Sequence, residues 1–202
     1  MQPKFPFALR QFLYVLNHPD APLPTTIDEC PQFEGEFKVY HSAVATFFAP
    51  SDLSGAGGMR CERIRSTPSF HGHSRHDTVF VVVDDSRPDM EGMEIGRVLL
   101  FFSFYYRRKP HSCALINWFV HDNKPDPDTG MWTVQMECDQ KGVPNVQVIP
   151  LESIARGAHL LPVYGNTRIP DDLSHHDSLD SFCSFFVNHF IDHHTHEFIT
   201  SS

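Results

Sequence analysis

Residues 95–106, IGRVLLFFSFYY, constrain the fold more than any other part of the chain. Apart from Gly96, Arg97 and Ser103, every side chain there is aliphatic or aromatic, the composition of a strand. Alternation places Val98, Leu100, Phe102, Phe104 and Tyr106 on one face and Leu99, Phe101 and Tyr105 on the other. Both faces are apolar, so both must be kept from water. A small antiparallel barrel with helices packed outside meets that demand, because one face of the strand fills the barrel and the other meets a helix.

The flanking residues support a meander. Residues 78–83, 112–120 and 131–136 share the strand composition, and turn-forming segments at 84–94, 121–130 and 139–145 separate them, the last leading into Val146-Gln147-Val148-Ile149. Residues 37–48 also read as strand and end in a glycine-rich loop at 49–59, whereas 59–76 read as irregular with at most one helical turn at 62–65. Within 151–164 a helical turn is expected before a strand at 158–163. Phe5, Leu9, Phe12, Leu13 and Leu16 recur at helical spacing, with Pro6 suited to the first turn and Asn17-His18-Pro19 to the stop. A second amphipathic helix is predicted from Leu179, Phe182, Cys183, Phe186 and Phe190, with Asp177 or Ser178 as its N-cap. The expected organisation is a helix and Pro-rich strap at 1–36, a barrel core at 37–165 and a helical extension at 166–202. Together they form one folding unit of α+β, mainly β class.

Charge narrows the function classes. The 202 residues carry 16 Lys and Arg against 25 Asp and Glu, a formal charge of −9, which excludes coating of nucleic acid by the whole surface but leaves room for a local basic patch. Beyond Arg168 there is no Lys or Arg, so histidines are the only side-chain cations there, and the charge of that stretch depends on pH. Five widely spaced cysteines without a CxxC pair fit neither a disulfide framework nor a zinc finger, and point to reduced thiols. The apolar stretch 5–16 is broken by Arg10 and Gln11 and lacks a small-residue cleavage site, and no run reaches the roughly 18 apolar residues that span a bilayer. An intracellular protein without membrane contact is expected.

Several constellations carry possible chemistry. On a continuous C-terminal helix His189, His193 and His196 would stand at i, i+4 and i+7, a stripe able to ligate zinc. The same histidines with His194 would equally complement the helix dipole, with Asp177 and Asp180 at its other end. His71-Gly72-His73-Ser74-Arg75-His76-Asp77 is comparable with the HxHxDH loop of metallo-β-lactamase-like hydrolases, but Arg75 stands where that loop has a metal-binding Asp. Asp122, Asp126 and Asp128 lack the spacing and the twelfth-position Glu of a calcium loop. The glycines at 54–59 are followed by no GK[ST] phosphate signature. Arg107-Arg108-Lys109 is the one basic run, at a predicted hairpin tip, and could meet phosphate or simply guard a strand edge. Tyr105, Trp118 and Trp132, with Phe119 and Tyr106 nearby, could form an aromatic cage for a methylated lysine, or could be core.

Five runs together resemble the C-terminal region of Plavaka-type transposases, CACTA-superfamily elements of mushroom-forming fungi. They are VYHSAVATFFAPSDLSGAGGM at 39–59, RVLLFFSF at 97–104, DTGMW at 128–132, GAHLLPVYG at 157–165 and the closing DHHTHE at 192–197. In such transposases an RNase H-like domain with an acidic metal-binding triad transfers DNA strands, and that domain would lie upstream of these runs, so the resemblance assigns no catalytic residue here. The order of RVLLFFSF, then ALINWF at 114–119, then IPLESIARGAHL at 149–160 is similar to the strand order of bromo-adjacent homology (BAH) domains, β-barrel modules that bind chromatin proteins, modified histone tails, or transposition and replication partners. The expectation is therefore a noncatalytic, BAH-like module of a transposase-like protein, nuclear, acting through a protein or chromatin partner. Tyr105, Trp118, Trp132, Arg107, Arg108 and Lys109 are its candidate binding residues. No cofactor is expected, zinc at His189, His193 and His196 being the alternative. Two alternative functions stand beside it: a metal-dependent hydrolase using a histidine cluster, and an accessory DNA-binding domain using the basic tip.

Overall fold

A computed structural model describes residues 4–50, 56–122, 124–165, 168–169, 171–174 and 176–200. In chain order the elements are α1 (Phe5–Asn17), β1 (Lys38–Tyr40), β2 (Ser42–Phe48), β3 (Met59–Phe70), β4 (His73–His76), β5 (Thr78–Val82), β6 (Met93–Tyr106), β7 (Lys109–His121), β8 (Thr133–Met136), β9 (Val146–Pro150), β10 (Ile154–Ala158), β11 (Leu160–Pro162), α2 (Ser178–Ser181), β12 (Ser184–Val187) and α3 (His193–Thr200). Short 3-10 turns lie at Ile27–Glu29, Asp89–Glu91 and Leu151–Ser153. The fold is α+β and mainly β, a nearly closed antiparallel barrel with helices at both chain ends.

The barrel is organised by the β6–β7 hairpin. On one edge β6 pairs β5 through Met93–Arg97 and β1 through Phe101–Ser103, while β7 pairs β9 and, farther along, β8. The chain returns from β9 through the turn Leu151–Ser153 to β10, which pairs β5 and brings the barrel close to closure. Val79, Val81, Val98, Phe101, Ala114, Ile116, Trp118 and Ile149 fill it, joined by Ile64 from β3. Outside, Phe5, Ala8, Leu9 and Leu13 of α1 pack on Phe102, Phe104, Cys113, Leu115 and Val148. A third cluster, with Phe80, Ile95, Phe119 and Phe185, lies under Ile199 of α3. Each large side chain so buried contributes about 1.5–3 kcal/mol.

Four expectations are corrected. The alternation in β6 breaks because Val98 pairs Ile116 while Leu100 pairs Leu115, a bulge that adds one residue at Leu99. Val98 therefore faces inward with Phe101, while Leu99 and Leu100 both pack toward α1. Residues 37–48 form two strands in different sheets, β1 on β6 and β2 on β3. Residues 59–76 are not irregular but a long hairpin, β3 and β4, turned at His71 (φ 51°) and Gly72 (φ 89°). Its charged sequence hides it, because one face of the hairpin looks to solvent and supplies no apolar alternation. Within 151–164 the helical turn is Leu151–Ser153 and β11 lies in the range expected for a strand, but an additional strand, β10, intervenes and pairs β5.

The predicted helix across Leu179 to Phe190 is also corrected. Only Ser178–Ser181 is helical; β12 follows and pairs β8 and β11. Helical spacing and strand alternation overlap in this segment, and burial of Phe185 and Val187 against the barrel selects the strand. The terminal helix starts instead after Asp192, whose Oδ1 accepts from the Thr195 N–H (2.7 Å) and hydroxyl (2.9 Å), an N-cap. The same carboxylate receives Arg156 of β10 at 2.6 and 3.2 Å. That guanidinium is buried, lies 4.7 Å above the Phe47 ring and donates to His194 Nδ1 at 2.7 Å. Burial by itself would raise the Asp192 carboxyl, but the bonds from Arg156 and Thr195 outweigh it and hold it at about 2.

Asp192→Ala is expected to cost about 3 kcal/mol in urea unfolding, the low end for a broken buried pair because Asp192 is 31% exposed. Asp192→Asn, which keeps an acceptor for the cap, is expected to cost less.

Candidate functional site at the barrel mouth

Glu94, Gly96 and Val98 occupy successive inward positions on β6, as their cross-strand partners Val81, Trp118 and Ile116 show. At this end the inner face changes from apolar to polar, with Glu94 on β6 and Gln147, the partner of Ile116, on β9. The opening is a depression of about 450 Å³ floored by Val81, Trp118 and Ile149 and rimmed by Glu94, Glu137, Asn145 and Gln147. Gly96 stands opposite Trp118, and a Cβ there would press on Ile116 at 3.0 Å.

The rim is tied down by hydrogen bonds. The Trp118 indole N–H donates to Gln147 Oε1 at 2.7 Å. The Glu137 N–H donates to the Trp118 carbonyl at 2.9 Å, and Asn145 donates its backbone N–H to the Glu137 carbonyl at 2.8 Å and its side-chain amide to Glu137 Oε2 at 2.6 Å. Burial pushes the Glu94 carboxyl up, and the neighbouring charge of Glu137 adds to that push, with His121 acting in the opposite direction. Among the described residues no Lys or Arg lines this mouth. Two carboxylates over an apolar and indole floor form a seat for a cation, since a positive group would relieve their repulsion and find hydrocarbon and ring surface beneath.

Of the candidate binding residues, Trp118 is at this mouth and the others are elsewhere. Trp132 packs toward the α3 side with its ring 5.1 Å from His121, and Tyr105 is 70% exposed far along β6. The three aromatics therefore do not converge. Arg107 and Arg108 form the exposed two-residue turn between β6 and β7, and Lys109 opens β7.

The histidines are likewise separated. His189 is buried in the turn before α3, 5.3 Å from the His196 ring, whereas His193 is exposed with Nδ1 3.2 Å from Glu197. Because residues 188–192 are not helical, no three-histidine stripe forms, and among the described residues no group of three or more His, Cys, Asp or Glu is arranged to hold a metal. The His71–Asp77 segment is a turn plus β4, lining a cleft of about 550 Å³ with Arg97, His159 and His176. Two arginines of that cleft pair with acids of the chain, Arg75 with Asp77 at 2.6 Å and Arg97 with Asp180 at 2.5 and 3.0 Å, and Arg63 donates to Ser42 Oγ at 3.0 Å. His76 Nδ1 is 3.0 Å from both the Val98 carbonyl and Ser66 Oγ. A carbonyl can only accept, so Nδ1 carries the proton and cannot serve as base to Ser66. Asp126 accepts from Asp128 and Thr129 within its own turn, as in an Asx turn. In the glycine-rich loop, 51–55 lie outside the described residues, and Gly57 and Gly58 make a tight turn with φ of 63° and 77°.

Sequence reasoning missed Glu94, Glu137 and Gln147. Glu94 lies two residues before Gly96 on the inward line of β6, a signal readable once that strand is extended by a residue or two. Glu137 directly follows β8, and only the pairing of that strand with β7, continued by the Glu137 N–H on the Trp118 carbonyl, brings it to the barrel end beside Glu94. No family model matches the chain, and neither a curated protein nor a solved structure matches it.

His76, His189 and His194 are all pushed below the ordinary imidazole value of 6.5, burial being the largest cause in each. His194 is committed to its neutral form, since its Nδ1 accepts from Arg156. The unfolded chain takes up these protons first, so stability is fully present above pH 6.5 and is lost as pH falls through the lower folded-state values. A melting temperature flat above that point and declining below it is expected. His189→Phe, which removes a buried Nδ1 with no hydrogen-bond partner, should make the decline shallower.

Proposed function

We propose that this chain is a noncatalytic recognition module, BAH-like and part of a transposase-like nuclear protein, whose barrel mouth receives a basic side chain from a protein or chromatin partner. The observation that carries the reading is the paired Glu94 and Glu137 carboxylates above Trp118, in a mouth lined by no Lys or Arg among the described residues. A lysine ammonium, free or methylated, is the complement: its charge answers the carboxylates and its stem lies on Val81, Ile149 and the indole. The cleft beside β4 lacks that quality, because it is lined by Arg63, Arg75 and Arg97, the last two of which already meet acids of the chain. Mouths of β-barrels are common ligand sites, being concave where strand ends leave side chains unpacked. The resemblance to the tail of Plavaka-type transposases and to BAH domains is in keeping with a partner-binding role.

The test is titration of lysine-bearing histone-tail peptides, followed by Trp fluorescence and calorimetry. Glu94→Gln and Glu137→Gln are each expected to weaken binding about tenfold or more, the loss of a charge-assisted contact. Because the Glu94 carboxyl is raised in the folded state, its ionisation opposes folding above that value. Glu94→Gln should therefore raise the melting temperature at neutral pH while it weakens binding. Lysine peptides that fail to bind, or that bind both variants as tightly as the original, would refute the assignment.

A further inference from the structure

The β6–β7 tip is built at an energetic disadvantage. Arg107 (φ 48°) and Arg108 (φ 64°) both hold the left-handed backbone conformation that L residues disfavour. Two-residue hairpin turns of this kind ordinarily use Asn-Gly or another glycine pair. Two other hairpin turns here do use glycine, Gly57 with Gly58 and His71 with Gly72. The tip instead presents two guanidiniums side by side, followed by Lys109, and Arg107 lies 5.5 Å over the Tyr106 ring.

The same hairpin carries an aromatic surface. Beyond the barrel, the face of β6 that holds Phe101 inside continues as Ser103 and Tyr105, and β1 sets Lys38 opposite Ser103 and Tyr40 opposite Phe101. Tyr105 is 70% and Tyr40 46% exposed, and the Tyr40 hydroxyl lies 3.1 Å from Ser103 Oγ. Lys38, exposed as well, stands two positions along the strand from Tyr105. Glu36, two residues before Lys38, is the nearest acid along the chain. Cations beside open rings on one strand face suit a flexible polyanion whose bases can stack, since phosphate meets Lys and Arg while each base meets a ring.

We propose that the β1–β6 face and the β6–β7 tip form a binding platform for single-stranded nucleic acid, Tyr40 and Tyr105 stacking bases and Lys38, Arg107, Arg108 and Lys109 holding phosphates. The surface is separate from the barrel mouth, and its test does not depend on that site. Fluorescence anisotropy with a labelled oligothymidylate should show binding whose logarithm falls with log salt at a slope of roughly −3 for four phosphate contacts. Arg107→Asn/Arg108→Gly supplies the preferred turn pair, so it should melt higher than the original yet bind more weakly, with the slope reduced by about 1.4. Tyr105→Ala should weaken the single strand several-fold and leave any weak duplex binding unchanged. Glu36→Gln should tighten binding, and Glu94→Gln should not change it. No binding of the oligonucleotide at low salt, unchanged affinity in the turn variant, or duplex bound as tightly as single strand would each overturn the proposal.

Discussion

The register between β6 and β7 is the interaction on which the rest of the structure depends. The two strands stay paired from Ile95 opposite Phe119 to Tyr106 opposite Lys109, and each lends its outer edge to two different partners. All three apolar clusters use residues of this hairpin, one inside the barrel and one under each terminal helix. A slip of one residue would exchange inward for outward side chains along its whole length. The bulge at Leu99 makes such an exchange once, by design of the backbone: it keeps Val98 and Phe101 inside and frees Leu99 and Leu100 to meet α1.

Charge is distributed with the same economy. The C-terminal stretch has no Lys or Arg beyond Arg168, yet two of its acids are answered from elsewhere in the chain, Asp180 by Arg97 of β6 and Asp192 by Arg156 of β10. These pairs fasten the last segments to the barrel, and the neutral His194, which accepts from Arg156 and stacks on the Phe47 ring, joins them. At the mouth the pattern reverses, with Glu94 and Glu137 facing each other, and at the hairpin tip two arginines adjoin in a backbone shape that glycine would adopt more readily. Both are local departures from the charge matching and turn chemistry that the rest of the fold observes.

Much of the fold was legible from local pattern. The two-faced strand at 95–106 announced a barrel with outside cover, and the spacing of Phe5, Leu9 and Leu13 announced the helix that supplies it on one side. The β3–β4 hairpin was not legible, because Arg60, Glu62, Arg63 and Arg65 interrupt the alternation on which a strand reading relies. Of the candidate site, Trp118 was visible as an aromatic in a strand, but its carboxylate neighbours were not, since nothing local links Glu94 to Glu137.

By itself the sequence determined the class of structure: antiparallel strands around a two-faced central one, with an amphipathic helix outside and, among the described residues, no helix long and apolar enough to cross a membrane. Those properties follow from composition and periodicity, which act over a few residues. Tertiary structure alone decided that Leu179 to Phe190 would yield a strand, that the terminal helix would begin at Asp192, and that Glu94 and Glu137 would share the barrel mouth. The physical reason is common to all three. Each outcome depends on a partner distant in the chain, β8 for the strand, Arg156 for the helix and the barrel end for the carboxylates, and pairing, burial and charge take effect only once folding has brought that partner near.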